Sequence, residues 1–356
     1  MPAFAIYRLP HESHATLIRQ ASGEPEELFT CQELNGRQGF VVAPFEIRPD
    51  QPILLIRPDT IERRELCIGA DAARHQRDSQ RSPRKDYHID FANFHAQLEA
   101  GTFRKIVLAR CAEETTAEPL DPMMLFWRAC ECYPRMFISL VSTEKSGSWL
   151  TATPEILLER NGGEWRTIAL AGTMKLEGEQ LNGEGETVAW TTKNIQEQRY
   201  VATYITECLE QFTSDFREEG PHTVRAANLV HLRSDFTFTL PDENHLGDLL
   251  HTLHPTPAVC GLPKREAYQF IVHNEHTPRR YYSGFMGPLN VQCSSQSEAA
   301  KPSATHLYVS LRCMNIEGRR YHLYAGGGLL KDSIEEQEWQ ETEAKLETMR
   351  ALIKSE

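Results

Sequence analysis

"YAGGGLLKDSIEEQEWQETEAK", from Tyr324 to Lys345, joins three consecutive glycines to a strongly acidic run. At first sight it is a turn followed by a solvated helix. Ser333, with Glu336 three residues on, has the form of a capping box, so a helix is expected over 333–354. At ~100° per residue, Ile334, Glu338, Glu341, Lys345, Met349 and Leu352 fall on one stripe. That stripe is apolar at its ends and charged in its middle. Glu335, Gln340, Glu343, Glu347 and Arg350 lie away from it and are expected to face water. One reading is a surface helix with Glu341 and Lys345 as an i,i+4 pair, worth ~0.3–0.5 kcal/mol. The other turns Glu338, Glu341 and Lys345 inward, where bare charges are costly unless paired or bound to metal.

A second helix, expected over 188–212 ("VAWTTKNIQEQRYVATYITECLEQF"), repeats the anomaly. Trp190, Glu197, Val201, Ile205, Cys208 and Phe212 share one face, so Glu197 points toward the core. A buried, hydrogen-bonded glutamate explains one such residue. Two helices that each turn a carboxylate inward suggest an oxygen-ligand site between them. Hard cations such as Mg2+ take one or two protein carboxylates plus water and substrate oxygens. No His/Cys cluster competes for zinc.

Alternation in "FRKIVLAR" sets Phe103, Lys105, Val107 and Ala109 on one face of a strand. Lys105 among apolar neighbours is either a snorkelling strand-end lysine or a base whose pKa burial lowers. In "TATPEILLER", Glu155 is either a solvated edge residue or a carboxyl kept protonated for general acid work. The prolines of "LHPTPAVCGLPKREA" set a rigid turn before a helix. The glycine run lets backbone amides approach an anion, but neither a phosphate-binding P-loop nor a dinucleotide fingerprint is present.

Around these stretches lies an ordinary globular composition, 40% apolar and 25% charged over 356 residues. Strand-like runs outnumber helical patterns, the latter at 89–100, 121–133, 188–212, 246–252, 263–274 and 333–354. Neighbouring strands with hairpin-like spacing favour an α+β fold over regular βαβ winding. Loops are expected at 70–87, 174–187 and 291–304. The net charge, 38 − 50 = −12, disfavours nucleic acid and anionic membrane surfaces as partners. It also means that an anionic substrate needs a local cation. No signal peptide and no transmembrane run is read, and the nine scattered cysteines are expected to be reduced, which implies a cytoplasmic protein.

In order, "FRKIVLAR", "TATPEILL", "ALAGT", "KNIQEQRYV", "LVHL", "LHPTPAVCGLP", "RRYYSGFMG", "VSLRC", "YAGGGLL" and "EWQETEAKL" resemble the chorismate-utilising enzymes, over roughly residues 88–354. The resemblance implies a single large chorismate-binding fold of the anthranilate synthase large-subunit type: antiparallel-rich sheets packed face to face, helices outside. Residues 1–87 would supply N-terminal strands and 88–356 the catalytic region. Within the family, a lysine at position 105 implies water rather than ammonia as nucleophile. Ala171 in "LAGT" removes the covalent lysine route of the common aminodeoxychorismate synthases. "HPTPAVCGLP" and "EHTPRRYYSG" most resemble isochorismate synthases, which serve menaquinone or siderophore biosynthesis. Salicylate synthases share the lysine and remain an alternative, as do an aminating enzyme and an inactive binding homologue.

The resemblance assigns Lys105 as base and Glu155 as acid, and Mg2+ to Glu197 and Glu341 with Glu338 beside them. It gives one substrate carboxylate to Arg312, the amides around Gly326, Lys345 and Tyr282, and the ring to Gly172, Thr173, His231, Ala258 and Val259. It implies a monomer without a glutamine amidotransferase subunit.

Overall fold

The computed structural model describes residues 3–66, 77–79, 84–161, 163–176, 188–226, 229–292 and 304–353. Two large antiparallel sheets carry the described strands. The first runs β15 (Gly261–Leu262), β8 (Lys105–Thr116), β19 (Arg320–Leu329), β18 (Cys313–Glu317), β10 (Gly147–Thr153), β9 (Phe137–Thr143), β1 (Phe4–Arg8), β2 (His14–Arg19), β6 (Thr60–Glu65). A short β7 (Arg77–Ser79) adds to β8. The second runs β13 (Phe216–Ala226), β14 (Leu229–Phe238), β12 (Glu164–Lys175), β11 (Ile156–Asn161), β17 (Thr305–Val309), β16 (Phe285–Leu289), β4 (Gly39–Ala43), β5 (Ile53–Ile56), β3 (Glu26–Leu28).

The sheets face each other. Phe137 of the first stacks on Tyr308 of the second, ring centres 4.3 Å apart, within a core that also holds Tyr7, Phe40, Trp149 and Tyr324. Helices cover the outer faces. α3 (Thr192–Leu209) and α4 (Leu246–Leu253) pack on the second sheet, α2 (Pro122–Cys132) and α6 (Glu335–Ile353) on the first. α1 (Arg84–Glu99) and α5 (Lys264–Asn274) lie over Ile106 and Leu108 of β8. Both faces of the central strands are thus buried, so "FISLVST" carries apolar residues on both: Phe137 and Val141 go inward, Ile138 and Leu140 toward α2. Among the described residues no helix is long and apolar enough to cross a membrane.

The expected α+β sandwich is present, with local corrections. α1 begins at Arg84, inside the stretch read as a loop, and Asp121 rather than a helical residue caps α2 by accepting from the Met123 N–H. Residues 177–187 and 293–303 of the other two expected loops lie outside the described residues. Val291 and Ala304, on either side of the second of these, pair as an isolated antiparallel bridge. Ser333 does not cap α6. Its Oγ accepts from the Leu330 N–H, while Glu336 turns to Arg84 and Gln340. Ile334 is exposed, not the first residue of a buried stripe. Glu343 and Arg350 do not simply face water: they pair with each other and with Arg110 and Glu114.

Candidate active site

The glycine run is not a turn. Gly326, Gly327 and Gly328 lie within β19, opposite Ala109, Leu108 and Val107 of β8. Their missing side chains make room on two sides. A Cβ on Gly328 would stand 2.1 Å from Glu197 Oε1 and 2.8 Å from Lys105 Cε. On Gly326 it would stand 2.7 Å from Tyr282 Oη. Gly327 faces α6, where the same atom would lie 3.4 Å from Glu338 Oε2 and 3.8 Å from Glu341 Oε1.

Lys105 opens β8 and is fully buried, which rules out snorkelling. Its Nζ lies 2.8 Å from Glu197 Oε1, yet the angles are poor and Nζ has no well-formed hydrogen bond. Glu197 comes from the second turn of α3, whose N-cap Thr191 accepts from the Asn194 N–H. β12 carries a bulge at Gly172, where φ is +72° and register with β14 shifts. The bulge turns two successive amides toward α3: the Ala171 N–H donates to Gln198 Oε1 at 2.9 Å and the Gly172 N–H to Glu197 Oε2 at 3.2 Å. Burial pushes the Glu197 carboxyl up, but Lys105, Lys193 and Lys345 outweigh it and hold the group below the usual carboxylate range.

Glu155 follows Pro154 in the turn from β10 to β11 and is 3% exposed. It is not an edge residue. Burial raises its pKa to about 8 against the opposing pull of Lys105, Lys345 and Arg312, so it stays protonated at neutral pH. Arg312, between β17 and β18 with φ +46°, donates from Nη2 to His231 Nε2 at 2.5 Å. His231 then carries its proton on Nδ1, 3.3 Å from the Gly172 carbonyl. Burial, then Arg312 and Lys345, keep that imidazole neutral, and burial lowers Arg312 to about 10.

Glu338 is buried and pairs with Lys193, while its Oε2 has no hydrogen-bond partner. Burial and the neighbouring Glu341 raise its pKa against the pull of Lys193. Lys345 donates to Glu341 Oε1 at 2.7 Å and to the Gly326 carbonyl at 2.9 Å. Each of the three inward carboxylates therefore has a lysine beside it. The donors are all hard oxygens and one is orphaned, which fits Mg2+ held with water and substrate oxygens. Among the described residues no three or more His, Cys, Asp or Glu are already gathered as a ligand shell.

One cavity is lined by Glu155, Gly172, Thr173, Glu197, His231, Ala258, Val259, Tyr282, Arg312, Gly326 and Lys345. Glu338 and Glu341 line a neighbouring groove with Lys193, and the two share Thr173. The cavity holds about 60 Å³, below the ~300–1,000 Å³ of ordinary ligand sites, so side chains must move for a ring compound to enter. Sequence reasoning missed Lys193, although K-x-x-x-E puts it on the face of Glu197 one turn earlier. It also missed Leu170, Leu311 and Tyr324, apolar or aromatic wall residues with no signal of their own.

Residues 55–354 match the family model described as chorismate binding enzyme. The chain is 32% identical over 263 residues, 73% of its length, to isochorismate synthase MenF of Escherichia coli strain K12, and spans 58% of that relative. The solved structure of the menaquinone-specific isochorismate synthase MenF from Escherichia coli superimposes with a TM-score of 0.82 at 22% identity, covering 99% of this chain and 89% of that one. Anthranilate synthase component I from Streptococcus pneumoniae gives 0.69 at 16%, covering 98% and 90%. At these identities the superpositions speak for the fold.

Proposed function

The chain belongs to the chorismate-binding enzyme family, and from that premise we propose that it converts chorismate to isochorismate. Lys105 takes a proton from water as the water oxygen bonds to ring carbon 2. The ring double bonds shift and the carbon 4–oxygen bond breaks. Glu155 gives its proton to the departing hydroxyl, which leaves as water. Each transfer needs the group near hydrogen-bond reach and in the correct protonation state.

The observation that carries the reading is a protonated carboxyl, Glu155, on the cavity wall, with the fully buried Lys105 directly behind Glu197 of the same wall, 2.8 Å from its Oε1. Lys105 and Glu155 can accept one proton and supply another without an ammonia source, so no amidotransferase subunit is required and the chain is read as acting alone, as a monomer. Arg312, Lys345, Tyr282 and the Gly326 backbone are assigned to one substrate carboxylate, the guanidinium fork suiting it best. Gly172, Thr173, His231, Ala258 and Val259 are assigned to the ring. Glu197 and Glu341, with Glu338 beside them, would hold Mg2+, which when bound supplies positive charge against the ring carboxylate. Local cations of this kind let a chain of net charge −12 accept a dianion.

Incubating purified protein with chorismate and Mg2+ tests the reading. Isochorismate as sole product supports it. Salicylate fluorescence would show added pyruvate elimination, and an ammonia-dependent aromatic amine would overturn water as nucleophile. No turnover would leave only a binding homologue.

A further inference from the structure

"EHTPRRYYSG" contains a buried ion pair to which the proposed reaction gives no role. Glu275 and Arg279 each have a side chain 3% exposed. Arg279 Nε donates to Glu275 Oε2 at 2.6 Å and Nη2 to Oε1 at 2.8 Å. The pair sits where the two-residue strand β15 runs out. Up to that point β8 is laddered, the Val107 N–H reaching the Cys260 carbonyl at 2.6 Å. Beyond it, side chains replace the missing strand. Arg279 Nη2 donates to the Val107 carbonyl at 2.8 Å, and the Ala109 N–H donates to Glu275 Oε1 at 2.7 Å. Arg279 Nη1 also holds the Val259 carbonyl at 2.7 Å, and the Arg279 carbonyl accepts from the Tyr282 N–H at 2.9 Å.

Val107, Val259 and Tyr282 all line the cavity, and each comes from a different segment. The guanidinium therefore ties two of these walls together, two residues along the strand from Lys105, and the same residue's backbone carbonyl holds the third. We infer that the Glu275–Arg279 pair is a positioning element, fixing the gap between β8 and the Val259 and Tyr282 walls so that Lys105 is held toward the water that adds to the ring. A buried ion pair is weak evidence for stability, because its desolvation cost offsets much of its attraction. What the fork supplies is geometry: a lysine keeps the charge but cannot reach two carbonyls and a carboxylate at once.

The inference rests on the chorismate reading, and the test separates the two. Full-length wild type, Arg279→Lys and Glu275→Gln are compared for kcat and KM with chorismate and Mg2+, and for cooperative thermal unfolding. Wild type without turnover removes the reading and the inference with it. With active wild type, Arg279→Lys is expected to fold and to lose roughly 10–100-fold in kcat with KM within about threefold, the size of effect that a misplacement near 1 Å produces. Unchanged kcat, or a loss matching only the unfolded fraction, overturns the inference alone. If Arg279→Lys does not fold, Glu275→Gln decides in the same terms: it keeps the volume and an acceptor for Ala109 but loosens the fork. A kcat equal to wild type would then be the overturning result.

Discussion

Helix α6 carries two charged networks, built from different cations. Toward the cavity and the groove beside it, Glu338 and Glu341 meet Lys193 and Lys345, each through one contact, and Glu338 Oε2 is left over. Toward the far part of β8 the cations are arginines. Arg110 lies 3.8 Å from the centre of the Trp339 ring, and with Arg350 it takes both oxygens of Glu343, while Arg350 also holds Glu114 at 2.8 Å. Arginine's planar fork fastens, whereas lysine's point charge on a flexible stem is easily exchanged. The difference separates a network that holds the helix from one that can trade partners when a cation or an anionic substrate arrives.

Substitutions can break that contrast. The largest effect is expected at Lys105: Lys105→Ala should cut kcat by about 10²–10⁴, the usual range for a general base, with the circular dichroism spectrum retained. Retained turnover would contradict the assigned base. Glu155 follows. With its pKa raised to about 8, the proton donor is lost as pH rises past that value, so the rate should fall there, and Glu155→Gln should lack that limb. The sign for stability is the same. The folded value lies above the ordinary 4.5, so this group's contribution is complete below 4.5 and declines as pH rises through 8. Urea midpoints for Glu155→Gln should therefore fall less than wild type over that window.

A glycine pair sharpens the picture further. Gly328→Ala drives a methyl into Glu197 and should cost about 1–3 kcal/mol together with most activity, whereas Gly327→Ala meets only ordinary contacts and should be nearly neutral in melting temperature. Arg350→Ala is expected to leave kcat within about twofold while losing roughly 1–3 kcal/mol in urea unfolding, because it removes the charge-assisted bonds to the buried Glu114 and to Glu343. Lost activity there without lost stability would merge the two networks.

Much of this was readable from periodicity. Face analysis turned Glu197, Glu338 and Glu341 inward, because burial on a helix repeats every three to four residues. Partners across the chain leave no such trace. Lys193 and Glu338 are 145 residues apart, and Arg279 reaches Val107 over 172. The glycines misread as a turn for a related reason: a strand that must pass close to Glu197 and Tyr282 loses the side chains that mark strands. β13 carries little strand signal, because Gly220, Pro221 and its exposed charges look like a loop, and an edge strand tolerates all of them. At Ser333 a capping signature was present, but the hydroxyl closes the turn before the helix.

The central claim is that water, activated at Lys105, adds to the ring. Turnover of chorismate with Mg2+ in ¹⁸O-enriched water, followed by mass spectrometry, tests it most directly. The account predicts isochorismate carrying one ¹⁸O at ring carbon 2, formed by wild type and not by Lys105→Ala. Product without solvent oxygen, or labelled product formed equally well by Lys105→Ala, would contradict it.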